Sequence, residues 1–286
     1  MRARRYPARV YTEHLRIPVG PGYLHVERMG RGGPAIVLLH GFGSSTFQWR
    51  AIAPVLAARG FVVVAVDLLG YGESDRPVGA PTGPSAQAEY VEAALTALRL
   101  GPVSVLGQGL GALVGLLLAA NDPKRVARMG CLDPLDPDDL PGPDIRAMQR
   151  HSALAALTAN SLFGARPLLE PLVSEALTPE LPHTERLLAR YLAPFVGSNG
   201  MAELLQLAGT VTLSDEERAR LSRVTGPVHF WLGYREGERH TDTVAEWERR
   251  LPAATISASE TREPSGRFLS ETAPAELLTA LGEWLT

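Results

Sequence analysis

Three short segments bring together the residue types best suited to chemistry: His40-Gly41-Phe42-Gly43, Asp67-Leu68-Leu69-Gly70-Tyr71-Gly72-Glu73-Ser74, and Gly107-Gln108-Gly109-Leu110-Gly111. Each follows directly on a short apolar run, where a buried strand would end, and open parallel sheets gather their ligands at such ends. The alternating glycines of the third segment allow a sharp turn from strand into helix. Backbone N–H groups at a helix start attract anions. Gly109, at the centre of that turn, has no side chain that could attack a substrate or hold a proton. Asp133 and Glu236 each follow a later apolar run and offer carboxylates. Arg267, in Gly266-Arg267-Phe268-Leu269-Ser270-Glu271-Thr272-Ala273-Pro274, stays protonated at any working pH, so it suits a carboxylate partner and cannot act as a base. The histidines show no metal-ligand spacing such as H-E-x-x-H, and no glycine-rich segment matches a nucleotide fingerprint. No metal and no cofactor is expected.

The elements that must position these residues are legible as alternating runs. Residues 10–28 break at Val19-Gly20-Pro21-Gly22 and read as a hairpin. Ala35–Leu39 and Phe61–Val66 are short β-branched runs of the kind buried on both faces of a sheet, with a helical segment, Thr46 to Arg59, between them. A helix starts near Ser85, with Val91, Leu95 and Leu98 at i, i+4 and i+7, and a strand follows at Val103–Leu106. The apolar helix 110–120 and a strand at Met129–Leu132 continue the order. After four prolines within 134–143, residues 145–210 carry Leu-rich helical pieces without strand signals and read as an inserted helical cap. The sheet resumes at Pro227–Leu232, with a short strand near Ala254–Ile256 and a closing helix, Ala275–Leu285. This order predicts an α/β fold, a mostly parallel central sheet with helices on both faces. Its core spans 1–136 and 213–286, interrupted by a cap over 137–212.

In this order and spacing the three glycine-rich segments resemble the α/β-hydrolase superfamily, in its capped branch of esterases, epoxide hydrolases and haloalkane dehalogenases. The resemblance implies that the third segment is the G-x-S-x-G nucleophile elbow. Gly107 and Gly111 keep the outer glycines, and Gly109 stands at the nucleophile position. It further implies that Arg267 holds the place of the histidine base and that Glu236, or alternatively Asp133, holds the place of the acid. The family's oxyanion hole would fall to the backbone N–H groups of Phe42 and Leu110. His40, Gly41, Phe42, Gln108, Gly109, Leu110 and Arg267 would then line the ligand site. In a serine protease, loss of serine or histidine alone costs roughly 10^6 in turnover, so ordinary ester hydrolysis is not expected. His40 is expected to brace its loop, Asp67 with Gly70, Gly72 and Ser74 to fix a turn, and Ser44, Ser45 and Ser104 to cap or pack. His240 reads as a loop residue; His151 and His183 fall in the cap.

These residues leave three functional readings. The first is a non-hydrolytic protein, or degenerate pseudo-hydrolase, binding a small carboxylate or other anion under its cap. A second is a lyase, cyclase or isomerase that uses the oxyanion donors without a covalent nucleophile. The third is a hydrolase with relocated residues, Ser44 or Asp133 with His151 or His240. Net charge of -3 argues against nucleic acid as a partner, and hydrophobic residues at 45% supply a large core. The longest apolar stretch, Leu110–Ala120, falls short of the roughly 18–20 residues that cross a bilayer, so no membrane partner is expected. A lone cysteine, Cys131, and the lack of a secretory apolar run fit a cytoplasmic setting.

Overall fold

A computed structural model describes residues 11–143, 145–146, 166, 169–171, 173, 185–196, 199–234, 240–264 and 268–285. Eight strands, β1 (Thr12–Pro18), β2 (Tyr23–Met29), β3 (Ala35–Leu39), β4 (Val62–Val66), β5 (Val103–Gln108), β6 (Val126–Leu132), β7 (Gly226–Tyr234) and β8 (Ala254–Pro264), form one sheet. Its order is β1-β2-β4-β3-β5-β6-β7-β8. The β1–β2 and β2–β4 pairs are antiparallel, and every pair from β4 through β8 is parallel. This is the mostly parallel α/β sheet that the alternating runs predict.

The β-branched runs are needed because both faces of the sheet are covered. Val37, Leu39, Val64, Val66 and Val105 point into one core together with Val91, Leu95 and Leu113 of the helices Pro84–Ala97 and Leu110–Asn121. Their neighbours Ile36, Leu38, Val63, Ala65 and Leu106 point the other way. There they meet Trp49, Ile52, Leu56, Leu277 and Leu281, the last two from the closing helix Pro274–Trp284. Successive residues of one strand thus serve two hydrophobic layers, which holds the sheet in register and fixes where each strand ends.

Several elements differ from the expectation. Thr46–Arg59 is divided into a 3-10 turn, Thr46–Trp49, capped by the Ser45 hydroxyl, and a short helix, Ala53–Ala58. β8 runs on to Pro264 rather than ending at Ile256. As the last strand of the sheet it carries exposed Ser257, Ser259 and Glu260, so its sequence need not be apolar. A helix over His240–Arg250 was not apparent, because its apolar contacts reduce to Val244, Trp247 and the following Leu251; Trp247 stacks on Phe230. His240 therefore begins a helix instead of lying on a loop. The helix Asp215–Arg220 is opened by a capping box, Ser214 with Glu217. Of the segment 137–212, the structure describes helices Glu185–Leu192 and Gly200–Thr210 and parts of the remainder. His151 and His183 lie outside the described residues. No helix among the described residues is long and apolar enough to cross a membrane.

A tight joint in the fold lies between β5 and the helix Leu110–Asn121. A Cβ on Gly111 would stand 2.2 Å from the Leu39 carbonyl oxygen, and one on Gly107 would stand 2.4 Å from the Gly111 backbone. Neither contact can relax by moving a side chain, since both partners are backbone. Gly111→Ala is therefore expected to lower the unfolding free energy by about 2 kcal/mol or more, within the usual range for overpacking. Urea unfolding of wild type and variant checks this, and equal midpoints would contradict it.

Candidate functional site

The glycine-rich segments meet at the carboxyl ends of β3, β4 and β5. Leu39 of β3 pairs with Gly107 of β5, so Phe42 and Leu110, each three residues further on, leave the sheet side by side. The two turns touch: the Cβ position of Gly41 lies 3.4 Å from Gln108 Cγ, and that of Gly111 lies 2.6 Å from the His40 carbonyl oxygen. Among the described residues, neither the Phe42 N–H nor the Leu110 N–H donates to a backbone acceptor outside the regular elements. Leu110 opens a helix of 12 residues, whose N-terminal partial positive charge adds to the pull of those donors on an anion.

Gly109 sits between them at φ 50 and ψ -109, a left-handed conformation that a side chain adopts only under strain. Its N–H donates to the Leu132 carbonyl at 2.9 Å and its carbonyl accepts from the Leu113 N–H at 3.2 Å, so the turn is held from both sides. Space for a side chain exists: the nearest atom to a Cβ there is the Asp133 carbonyl oxygen, at 3.8 Å. The elbow has the shape that presents a side chain, and the residue there has none.

The loop His40–Gly43 after β3 is built to be rigid. His40 is fully buried. Its Nδ1 lies 2.8 Å from the Gly41 carbonyl oxygen, and its Nε2 accepts the Leu68 N–H at 3.0 Å. A nitrogen that accepts an amide proton has none of its own, so the ring is neutral, with its proton on Nδ1. Burial lowers the His40 pKa, which favours the same form. Gln48 accepts the Gly41 N–H at 3.2 Å, and the Ser44 N–H closes the turn onto the Gly41 carbonyl. His40 is a brace, as expected of it. Gln108, also buried, donates from Nε2 to the Leu132 carbonyl at 3.1 Å, tying the elbow to the end of β6.

Asp67 fixes the second segment. Its Oδ1 accepts the Thr46 N–H at 2.6 Å, and its Oδ2 accepts the Glu73 N–H at 2.9 Å and lies 2.8 Å from His25 Nδ1. Burial alone would raise the carboxyl pKa, but the His25 hydrogen bond and the two amides outweigh it and lower it. The Ser74 hydroxyl donates to the Asp67 carbonyl, and a Cβ on Gly72 would fall 2.2 Å from the carboxylate. The turn carries Tyr71, a residue that spacing did not single out. Its buried ring lies edge-on to His40 and Phe42, with centroids 5.3 and 6.0 Å apart, and meets Phe195 at 6.5 Å. Its hydroxyl has no hydrogen-bond partner among the described residues, and burial pushes its pKa up.

Asp133, one of the two expected acids, does reach the elbow. Leu132 pairs with Gln108, so Asp133 lies beside Gly109. Asp133 adopts a positive φ of 38, donates its N–H to the Trp231 carbonyl at 3.0 Å and accepts the Gly233 N–H on Oδ1 at 3.1 Å. Glu236 and Arg267 lie outside the described residues. The strands that lead toward them end as neighbours, Tyr234 of β7 paired with Pro264 of β8. Beyond Arg267, Glu271 is buried and receives the Arg50 guanidinium, with Nη2 at 2.5 Å from Oε2, and the Tyr191 hydroxyl. That three-way contact fastens the helix Glu185–Leu192 to the core and was not legible in the sequence. Ser44 is buried, Ser45 caps the turn that follows, and Ser104 lies within β5.

An α/β sheet with an elbow and two braced loops at its carboxyl edge defines the class of the molecule, and comparison with known proteins agrees. Residues 34–235 match the alpha/beta hydrolase fold family, and the chain belongs to it. A haloalkane dehalogenase of Agrobacterium fabrum is 28% identical over 282 residues, covering 92% of this chain and 88% of that protein. An uncharacterized protein of Mycobacterium bovis is 37% identical over 108 residues; the match covers 38% of this chain and only 31% of that protein. The crystal structure of Cfl2 from Burkholderia cenocepacia superposes with a TM-score of 0.77 at 24% identity, covering 96% of each chain.

The buried neutral His40 has a consequence for stability. Its folded pKa is lowered from about 6.5, so between that value and the lowered one the unfolded chain takes up a proton that the folded chain does not. The stabilisation is whole above about pH 6.5 and is lost as pH falls toward the folded pKa. A His40→Gln variant lacks this dependence. The gap in unfolding free energy between wild type and variant is expected to narrow from about pH 7 to about pH 5 in urea titrations. Parallel curves would contradict the assignment.

Proposed function

We propose that this protein is a non-hydrolytic member of its family that binds a small carboxylate or related anion at the elbow, beneath residues 137–212 acting as a cap. The observation that carries the reading is the elbow itself: a strand-to-helix turn held at φ 50 and ψ -109 with Gly109 at its apex. The family's covalent chemistry needs an attacking side chain at that point. What remains is a backbone receptor, the Phe42 and Leu110 N–H groups at a helix N-terminus, which stabilises negative charge whatever the side chains do. The Tyr71 hydroxyl, buried beside Phe42 and unpartnered among the described residues, is a further donor in the same neighbourhood. In this reading Arg267 supplies the guanidinium that pairs with the ligand, and Asp133 or Glu236 is the vestige of the acid. Leu169, Phe195 and Leu207 support the cap assignment, since Leu169 packs over Gly43, Leu207 over Gly70 and Phe195 against Tyr71.

Names of relatives, haloalkane dehalogenase among them, describe activities that require a nucleophile, so they supply a ligand class, small and partly apolar, rather than a reaction. The pocket donors are also those a lyase or isomerase would use to hold a developing oxyanion, and turnover of a bound ligand without water would favour that reading.

Two measurements test the proposal. Thermal unfolding of the wild type and of Arg267→Ala is followed across small carboxylates, neutral esters and alcohols. The expected outcome is a carboxylate-selective stabilisation of about 2.7 kcal/mol at a hundredfold excess over Kd, lost in the variant. No shift with any carboxylate, or an equal shift in Arg267→Ala, would overturn it. Separately, Gly109→Ser is expected to lose about 1–3 kcal/mol of stability through its backbone conformation and to show no turnover of activated esters. Measurable ester hydrolysis by that variant would sink the claim that the base is lost along with the nucleophile.

A further inference from the structure

A second cluster lies far from the elbow in sequence logic, on the outer antiparallel hairpin. In the β1–β2 register His14 is opposite Glu27 and Arg16 is opposite His25. Directly opposed residues share a face and so do residues two apart on one strand, which puts His14, His25 and Glu27 on the same side of the hairpin. One ligand atom from each of the three lies within 4.8 Å of the others. His14 Nδ1 and His25 Nε2 are 3.1 Å apart, with the rings stacked at 18° and centroids 5.4 Å apart.

We propose that this face is a binding site for one divalent transition-metal ion of the zinc type, held by His14 Nδ1, His25 Nε2 and a carboxylate oxygen of Glu27. Two ring nitrogens 3.1 Å apart, each about 2.0–2.1 Å from a metal, subtend an angle of about 98° at it, close to tetrahedral. The supporting groups are already in place. His25 is buried, and its other nitrogen, Nδ1, lies 2.8 Å from the buried Asp67 carboxylate. Asp67, which also accepts two backbone amides, accepts a hydrogen bond from His25 Nδ1–H, and in the neutral ring this leaves the Nε2 lone pair facing His14. A carboxylate behind a histidine is the arrangement that fixes tautomer and ring orientation in metal sites. Glu27 is oriented in its turn by the Thr46 hydroxyl, 3.1 Å from Oε1, and the Thr46 N–H is one of the donors to Asp67. One residue thus braces both a ligand and the group behind the other.

Imidazole ligands select zinc, copper, nickel or cobalt over magnesium and calcium, which prefer all-oxygen sites. Glu73 Oε2, on an exposed side chain 3.8 Å from His25 Nε2, can supply the fourth ligand, or water can. His14 is exposed and provides the route of entry. The spacing of these residues along the chain gives no sign of the site, because its ligands come from two paired strands.

The test uses the untagged full chain, freed of metal by a chelator and dialysed. Zinc(II) is titrated by calorimetry, and cobalt(II) is followed by its visible absorption. The expected result is saturable binding of one ion per chain, intense tetrahedral cobalt bands, and a rise in melting temperature with zinc. His14→Ala and Glu27→Gln, both changes of accessible side chains, should each weaken binding by roughly tenfold or more while the circular dichroism spectrum is unchanged. His229→Ala, a change to a histidine on the far side of the sheet order, should leave the affinity as it was. No saturable binding up to about 1 mM metal, or affinity that survives in His14→Ala, would overturn the assignment.

Discussion

The site depends on a contact of backbone on backbone between the helix Leu110–Asn121 and the strands beneath it. Helix and sheet ordinarily keep side chains between them, and here at Gly107 and Gly111 they do not: any Cβ would enter the carbonyl groups of Leu39 and His40 or the peptide of Gly111 itself. Pulling the helix this far onto the sheet forces the chain to turn within a single residue, which is why Gly109 takes a left-handed conformation. It also sets the first helical N–H beside the turn after β3. The site is therefore a consequence of the packing. So long as the outer glycines hold the helix down, the elbow and its donors persist whether or not a reactive side chain occupies the apex.

The second organising group is Asp67. A buried carboxylate is costly unless several donors satisfy it, and here two amides and an imidazole do so. Those donors come from three parts of the chain: Thr46 after the His40–Gly43 loop, Glu73 within the same turn, and His25 on β2. One ionised group therefore locks the antiparallel edge of the sheet to the loops that frame the site. His40 works alongside it from the opposite direction, accepting the Leu68 N–H next to Asp67 and holding its own loop through Gly41. The turn so fixed delivers Tyr71 to the aromatic cluster over Phe42.

Much of this was legible before any coordinates. Strands such as Ala35–Leu39 and Val62–Val66 announce themselves because burial on both faces leaves no room for a polar residue. The elbow announces itself through its outer glycines, Gly107 and Gly111, since a Cβ at either would strike backbone. Asp133 could be named as a possible acid, but its place beside Gly109 follows only from the Gln108–Leu132 register. What could not be read had a common cause. The edge strand β8 continues through Ser257, Ser259 and Glu260 because an edge demands hydrogen bonds rather than hydrophobicity. The helix His240–Arg250 rests on a few apolar contacts. Tyr71, the Arg50–Glu271–Tyr191 contact and the His14–His25–Glu27 face are partnerships across long stretches of chain, and periodicity carries no information about those.

Membership in a family of hydrolases and the chemistry of this site pull in different directions, and physical chemistry decides which inference goes further. Similarity across nearly the whole chain reports that the packing is shared, because packing is what most residues are selected by. Reaction depends on a few atoms at one point. At that point glycine offers only a relaxed backbone, while the donors around it are main-chain groups that no substitution except proline removes. A fold of this kind separates its two functions cleanly: holding a negative charge is built into the backbone, whereas breaking a bond belongs to side chains. In the proposed reading, the backbone function stands without the side-chain one, with less strain at the elbow than a nucleophile would impose. The proposed anion site is what remains of the shared architecture once its apex is glycine.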